Sequence, residues 1–526
     1  MSVKQVSKDT EIDERLAALS TNANAIKAIA SAVEGTIGPK GLDTMLVDKF
    51  GDVVITNDGV TILDMMEVNH PAARMMINTA KAQQEEIGDG TTTATIMAGS
   101  LVTEGLEQVK KGVPVTRVIE GIRLGVKITI EYFKNHAVYI DTLSDPVLEQ
   151  VSCVAGRGHE DIAHLVYKAA QMIGKEKLLE QGFKLADCII AEHGAENELI
   201  EGCIISKERL SQDMPQERSS CSILVIDDAL EPEQIEEEAL SNEAGFNKFI
   251  SLQEEFKNNL YKLAQLNVGL VLVDRGISDL AEEILIDAGI MAVHRVSHKE
   301  LRKAAEATGA RMIKRTGLRK PLDELKNCLG FAEKVHNDEV LEQVRIIGGK
   351  GKPMATILVG ASTEEVVGER ERIAKDAAAA LQAAVRGGIV PGGGSIELAA
   401  ASFLENNREQ AKGMSVYGIN CVIEALRKPF FQIVFNSGFN PLEKQGDVLF
   451  IQKRENNIGY SIDCDSGQVA DMRELGVIDP ALVKIYALKA AGEVAEAILR
   501  IDTIIKKRPE ALNNNKFKDD IDFEAR

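Results

Sequence analysis

Residues 267–296 read NVGLVLVDRGISDLAEEILIDAGIMAVHRV: a short apolar strand pattern, a helical stretch, and a second apolar strand pattern. CSILVIDD at 221–228 adds a strand upstream, and RIIGG and ATILVGA follow on either side of GKGKP at 349–353. The centre of the chain is therefore an α/β module. GGKGKP at 348–353 resembles a phosphate loop only superficially. It lacks the required glycine-to-lysine spacing and ends in proline, so a hairpin turn between the two flanking strands is expected.

The link from the strand at 221–228 to the one at 267 is residues 229–266, far longer than an ordinary connection of about 4 to 6 residues. Leu252, Phe256, Leu260 and Leu263 step by four, four and three, which predicts an amphipathic helix in the second half, packed on the sheet as a crossover. The acidic stretch before it, EPEQIEEEALSNEAGFNKF, exceeds what a crossover needs and reads as a protrusion.

Further out, residues 12–33 and 71–108 are Ala-rich, with apolar residues three and four apart, and predict packed helices. GDVVITNDGVTIL at 51–63 interrupts them, and its Asn57-Asp58-Gly59 favours a hairpin. Helical character returns in RERIAKDAAAALQAAV from Arg370 and PALVKIYALKAAGEVAEAILRIDTII from Pro480. The two ends resemble each other more than either resembles the middle, so an α/β domain inserted into a helical one is expected. The last residues, 513–526, read as a polar tail.

Composition narrows the function. Among 526 residues, 81 Asp and Glu outweigh 61 Lys and Arg for a net charge of -20, which repels a nucleic-acid backbone. No apolar run approaches the ~20 residues of a membrane span, and the first 16 residues carry no hydrophobic signal core, so a cytoplasmic protein without nucleic-acid or membrane partners is expected. The seven cysteines are scattered without a C-x-x-C pair, and His294 and His298 lack a thiol or acidic ligand at zinc-site spacing.

The chemistry lies in glycine-rich turns. GDGTTTAT at 88–95 joins two helical stretches; exposed N–H groups at the second helix start, with three hydroxyls, can cradle phosphate. Asp89 would then need a cation between itself and the phosphates; the plainer alternative is that Asp89 or Thr91 caps a helix. TIGPKG at 36–41 is a helix stop or a close backbone approach to a ligand, and VPGGGS at 390–395 suits the same approach. In RERIAKD, Arg372 and Asp376 stand one helical turn apart, as a surface ion pair or with Asp376 as a general base. DPALV from Asp479 reads as an N-cap aspartate followed by a first-turn proline.

TIGPKG, ITNDGVTIL, GDGTTTAT, the E-R-x-x-x-D of 371–376, VPGGG and GVIDPALVK, in this order across nearly the whole chain, resemble a chaperonin subunit. TNDG, and the extra segment at 229–266 where a helical lid would lie, bring the resemblance closer to group II, the thermosome-like class. AGRGHED at 155–161 departs from the T-G-K of archaeal members and points to the archaeal-like bacterial group III.

The resemblance implies a multidomain α and α/β fold. A mainly helical equatorial domain would comprise 1–143 and 392–526, a small intermediate domain 144–208 and 361–391, and an inserted α/β apical domain 209–360 with its lid protrusion at 229–266. It implies ATP held by Thr36, Ile37, Gly38 and Pro39, by Asn57, by Gly90, Thr91, Thr92 and Thr93, by Gly392, Gly393 and Gly394, and by Asp479 near the ribose. Asp89 would hold Mg2+, and K+ is admitted as a further cation. Asp58 and Asp376 would orient and deprotonate the attacking water, and Arg157 in AGRG would sense the terminal phosphate, the alternative being an exposed arginine in a flexible turn. The implied protein is an ATPase that encloses unfolded or partly folded proteins in two stacked rings, with eight identical subunits each and no separate lid protein. An ATP-independent holdase and a small-molecule enzyme using Mg-ATP are the competing readings.

Overall fold

Val268–Val273 is buried at all six positions because side chains alternate between two apolar layers. Leu270 and Leu272 meet Leu301 and Ala304 on one face. Val271 and Val273 meet Phe256, Leu260 and Leu263 on the other. A strand covered on both faces is apolar at both parities. In this computed structural model, which describes residues 10–13, 15–47, 49, 51, 53–233 and 243–507, that strand belongs to a six-stranded sheet. Its order is Gly202–Ile205, Gln343–Gly349, Gly330–Asp338, Glu217–Ile226, Val268–Val273, Met291–Val293. The last three strands are parallel, and the others pair antiparallel.

Helix Glu243–Gln265 makes the crossover between the parallel strands Glu217–Ile226 and Val268–Val273, burying Leu252, Phe256, Leu260 and Leu263 as the spacing predicts. Its start leaves Phe246 and Ile250 exposed; residues 234–242 of the expected protrusion lie outside the described residues. GGKGKP is not a hairpin turn. Gln343–Gly349 pairs within the six-stranded sheet, whereas Thr356–Ala361 is the central strand of a separate three-stranded sheet with Ile189–His193 and Glu198–Ile200. Thr356–Ala361 runs parallel to Ile189–His193, a pairing distant in sequence that outweighs the local turn signal.

The chain forms two compact units. One comprises Ala137–Val390 with Gly476–Leu482 and contains both sheets. Beside the three-stranded sheet it has a separate core, in which Leu148, Val151, Ile162 and Val166 meet Ala374, Ala377 and Leu381 of helix Glu364–Gly387. Gln382 is buried there and satisfied, donating to the Leu178 and Phe183 carbonyls and accepting from Leu185 N.

The other unit comprises the described residues up to His136, Pro391–Leu475, and those from Val483 onward. Its helices include Arg15–Val33, Thr91–Lys110, Val115–His136, Val416–Asn436 and most of Ala481–Leu499. Small residues set their spacing: a Cβ on Gly121 would lie 1.9 Å from the Ser415 carbonyl oxygen, so the Val115–His136 helix meets the 416–436 region backbone to backbone. Thr10–Asp13 pairs antiparallel with Ile504–Lys507, so the helical pattern at the C-terminal end stops at Leu499 and the β-branched Ile504 and Ile505 enter a strand. Among the described residues no helix is long and apolar enough to cross a membrane.

Candidate functional site

Asn57-Asp58-Gly59 is not the expected hairpin turn. The hairpin is formed by Thr44–Val47 and Val53–Thr56, and Asp58 instead caps helix Gly59–Met65. Its Oδ1 accepts from Val60 N at 3.3 Å, and its Oδ2 accepts from Thr61 N at 3.0 Å and Thr61 Oγ1 at 2.6 Å. An Asx cap and a hairpin turn draw on the same Asn/Asp-Gly residues; here the amides following Asp58 take up its carboxylate.

Capping fixes where Gly59 lies. A Cβ added there would stand 2.5 Å from Thr92 Oγ1 and 3.4 Å from Thr91 Oγ1, so the Asp58 turn abuts the start of helix Thr91–Lys110. That helix is N-capped by Gly90 at φ 79°, ψ 15°, a residue with no side chain to cap its first N–H groups. Neither Asp89 nor Thr91 caps it: Asp89 Oδ1 accepts from Gly90 N at 2.5 Å, and the Asp89 carbonyl accepts from Gln83 Nε2 at 2.8 Å. Thr91 Oγ1 is buried against Gly59, while Thr92 and Thr93 are half-buried.

The glycine run at 392–394 repeats this arrangement. Strand Ile389–Pro391 precedes it, and Gly394 at φ 74°, ψ 6° opens helix Ser395–Asn406, again without a side-chain cap. Gly393 takes φ 61°, and its carbonyl accepts from Ser461 Oγ at 2.7 Å. A Cβ on Gly394 would lie 2.9 Å from Phe430 Cα, and one on Gly38 would lie 3.2 Å from Ile433. Phe430 and Ile433 are three residues apart on helix Val416–Asn436, which thus backs both the Gly394 turn and the Thr36–Pro39 turn. Asn436 fastens the latter by donating from Nδ2 to the Glu34 and Ile37 carbonyls at 3.0 and 2.9 Å. Lys40 pairs with Asp465 at 2.5 Å, and that carboxylate raises the Lys40 pKa above the ordinary lysine range.

The start of helix Ala481–Leu499 joins the group, since a Cβ on Gly90 would lie 2.5 Å from Val483 Cγ1, and Lys484 pairs with Glu397 at 2.7 Å. Helix starts carry partial positive charge and unpaired N–H groups, and two of these carry no side-chain cap, which leaves them to an anion. Two orphaned polar atoms lie on the same turns: Asn57 Oδ1 and Ser395 Oγ are buried without a hydrogen-bond partner. The residues present fit a magnesium nucleotide. Among the described residues no cluster of three or more His, Cys, Asp or Glu side chains could hold a metal, so a Mg2+ at Asp89 would draw its other ligands from phosphate oxygens and water.

Arg157, Asp376 and Asp479 belong to the unit formed by Ala137–Val390 and Gly476–Leu482. Arg157 has φ 56° in the turn between helices Val147–Ala155 and Glu160–Ile173. It is half-buried, and its Nη1 donates to Glu369 Oε1 at 2.5 Å, so the picture of an exposed arginine in a flexible turn does not hold. Arg372 turns back to Glu369 Oε2 at 2.7 Å, and Asp376 follows one turn later on helix Glu364–Gly387. Asp479 lies in strand Ile478–Pro480 rather than at the N-cap of the next helix, which begins at Ala481, where Ala481 N donates to the Gly388 carbonyl. Sequence reasoning missed Asn436, Ser461 and the Glu397–Lys484 pair, because each is joined to the site only by tertiary contact.

The model of the TCP-1/cpn60 chaperonin family matches residues 29–509. The thermosome subunit beta of Sulfolobus acidocaldarius is 33% identical over 507 residues, covering 93% of this chain and 90% of that protein. A thermosome subunit of Pyrococcus abyssi is 35% identical over 503 residues, covering 92% and 90%. Among solved structures, a group III chaperonin in the open state superposes with a TM-score of 0.85 at 46% identity, covering 93% of this chain and 99% of that one.

Proposed function

The chain belongs to the TCP-1/cpn60 chaperonin family and is an ATP-dependent, ATP-hydrolysing chaperonin; from that premise we propose which residues run its cycle and what it assembles into. The observation that carries the residue assignment is the meeting of the Asp58 and Gly90 helix starts, joined to the Gly394 start through Val483 and the Lys484–Glu397 pair, with the Gly90 and Gly394 starts uncapped. Gly90, Thr91, Thr92, Thr93 and Gly392, Gly393, Gly394 hold the phosphates of ATP. Thr36, Ile37, Gly38, Pro39 and Asn57 flank them, and Asp479 takes the ribose. Asp89 would hold Mg2+, which would neutralise phosphate charge, with K+ admitted as a further cation. Asp58 and Asp376 orient and deprotonate the attacking water. Hydrolysis then requires the hinge of an intermediate domain (144–208 and 361–391) to close between the equatorial parts, 1–143 and 392–526, and the apical domain 209–360. Arg157, released from Glu369, senses the terminal phosphate.

The assembly is a homo-oligomer of two stacked eight-membered rings in the cytoplasm, closing over unfolded proteins with a built-in lid and no separate lid protein. The 46% identity with a group III chaperonin, against 33% and 35% for the thermosome subunits, favours the group III subclass. Leu252 and Phe256 belong to the apical core, so a lid deletion has to stop short of them. Removing residues 234–247 should leave assembly and ATP hydrolysis intact and abolish protection of a bound client from protease. Negative-stain imaging with an ATPase and refolding assay tests the whole reading. Double rings whose refolding yield rises with ATP support it, and refolding indifferent to ATP would overturn it.

A further inference from the structure

Glu397 and Lys484 are, among the described residues, the two charged residues that are buried, at 1% and 8% exposure. The Lys484 Nζ stands 2.7 Å from Glu397 Oε1, and no directional hydrogen bond reaches either carboxylate oxygen, so the ammonium is the charge that compensates Glu397. Stability alone does not explain such a pair, because well-packed apolar residues of similar volume would join the two helices at least as well.

Its position does. Glu397 lies three residues beyond Gly394, in the first turn of helix Ser395–Asn406. Lys484 lies in the first turn of helix Ala481–Leu499, next to Val483, against which Gly90 packs. The pair therefore links the two uncapped helix starts at Gly90 and Gly394. A lone carboxylate there would oppose an arriving phosphate, and a lone ammonium would hold one too firmly.

We propose that Glu397 and Lys484 are a positioning pair that sets the charge felt by the nucleotide phosphates: Lys484 strengthens their binding, and Glu397 limits it so that ADP can leave. The inference rests on the reading of the two helix starts as the phosphate site. A unit charge within ~10 Å of the phosphates, at an effective dielectric near 20, is worth about a ten-fold change in affinity.

The test is calorimetric titration of the assembled parent and variants with ATP, ADP and adenosine. Glu397→Gln should bind ATP about ten-fold more tightly and turn over more slowly, whereas Lys484→Met should bind it about ten-fold more weakly. Both shifts should be smaller for ADP and absent for adenosine. The double variant should return to within about three-fold of the parent. Shifts of the same sign in the two single variants, or an adenosine shift as large as that for ATP, would mean a packing role and overturn the proposal. Should a single variant fail to assemble, Glu397→Asp and the double variant, which both leave the charges balanced, carry the test: a ten-fold loss of ATP affinity in either overturns it. Failure of the parent itself to bind ATP would overturn the phosphate-site reading as well, which distinguishes the two outcomes.

Discussion

Helix His298–Thr308, on the six-stranded sheet, and helix Thr91–Lys110, in the helical unit, begin in opposite ways. Ser297 and Glu300 form a reciprocal capping box at the first, each satisfying the other's backbone N–H. Gly90 opens the second with no side-chain acceptor, and Gly394 opens a third in the same manner. A capped start is finished within its own turn. A start with glycine at the cap is less stable by only about a few tenths of a kcal/mol and keeps N–H groups for something else. A break in local helix grammar, repeated at two starts brought together by packing, marks a binding site more firmly than either break alone.

The largest effects should come from the two carboxylates proposed to act on the attacking water. Asp376→Ala should slow ATP hydrolysis by about 10²- to 10⁴-fold while nucleotide affinity stays within a few-fold. Normal single-turnover rates would remove Asp376 from the chemistry. Asp58→Asn separates capping from catalysis, because asparagine caps as well as aspartate; the thermal midpoint should hold while hydrolysis falls about 10²-fold.

The glycines come next. Gly90→Ala places a methyl 2.5 Å from Val483 Cγ1 at φ 79°, and Gly394→Ala places one 2.9 Å from Phe430 Cα at φ 74°. Each should cost about 1–3 kcal/mol and weaken ATP binding at least ten-fold by displacing the helix start. Unchanged nucleotide titrations would show that these starts are merely tight turns.

Ser297→Ala is the counterpart on the capped side. It should lower the local stability of the 298–308 helix by about 1 kcal/mol, seen as faster amide exchange, and leave ATP hydrolysis unchanged. Loss of ATPase activity here would erase the contrast.

The smallest effect concerns the thiols. Burial pushes Cys188 up to about 11 and Cys203 and Cys421 up to about 12, so at pH 8 almost none of each is thiolate. Native-state alkylation at pH 8, mapped by mass spectrometry, should leave these three unmodified. Rapid labelling of Cys203, beside the sheet core, would show that the α/β region opens more readily than its packing implies.

Elements whose periodicity is local are legible in the amino-acid order. The apolar strands from Cys221, Val268 and Met291, the crossover helix carrying Leu252 to Leu263, and the Ala-rich helices are all written in short windows, because burial on one helix face or both sheet faces repeats every few residues. The amino-acid order also supplied the glycine turns at 38, 90 and 394, since left-handed backbone favours glycine. Tertiary structure alone decided what those signals were for. Asn57-Asp58-Gly59 is equally suited to a hairpin and to a helix cap. Its placement as a cap of Gly59–Met65, against Thr92, comes from packing on a helix more than thirty residues away. GGKGKP looked like a hairpin until its two strands took partners in different sheets. Glu397 and Lys484, 87 positions apart, carry no mark in any local window. Only folding removes them from water together, and the cost of leaving either charge buried alone is what fixes them to each other.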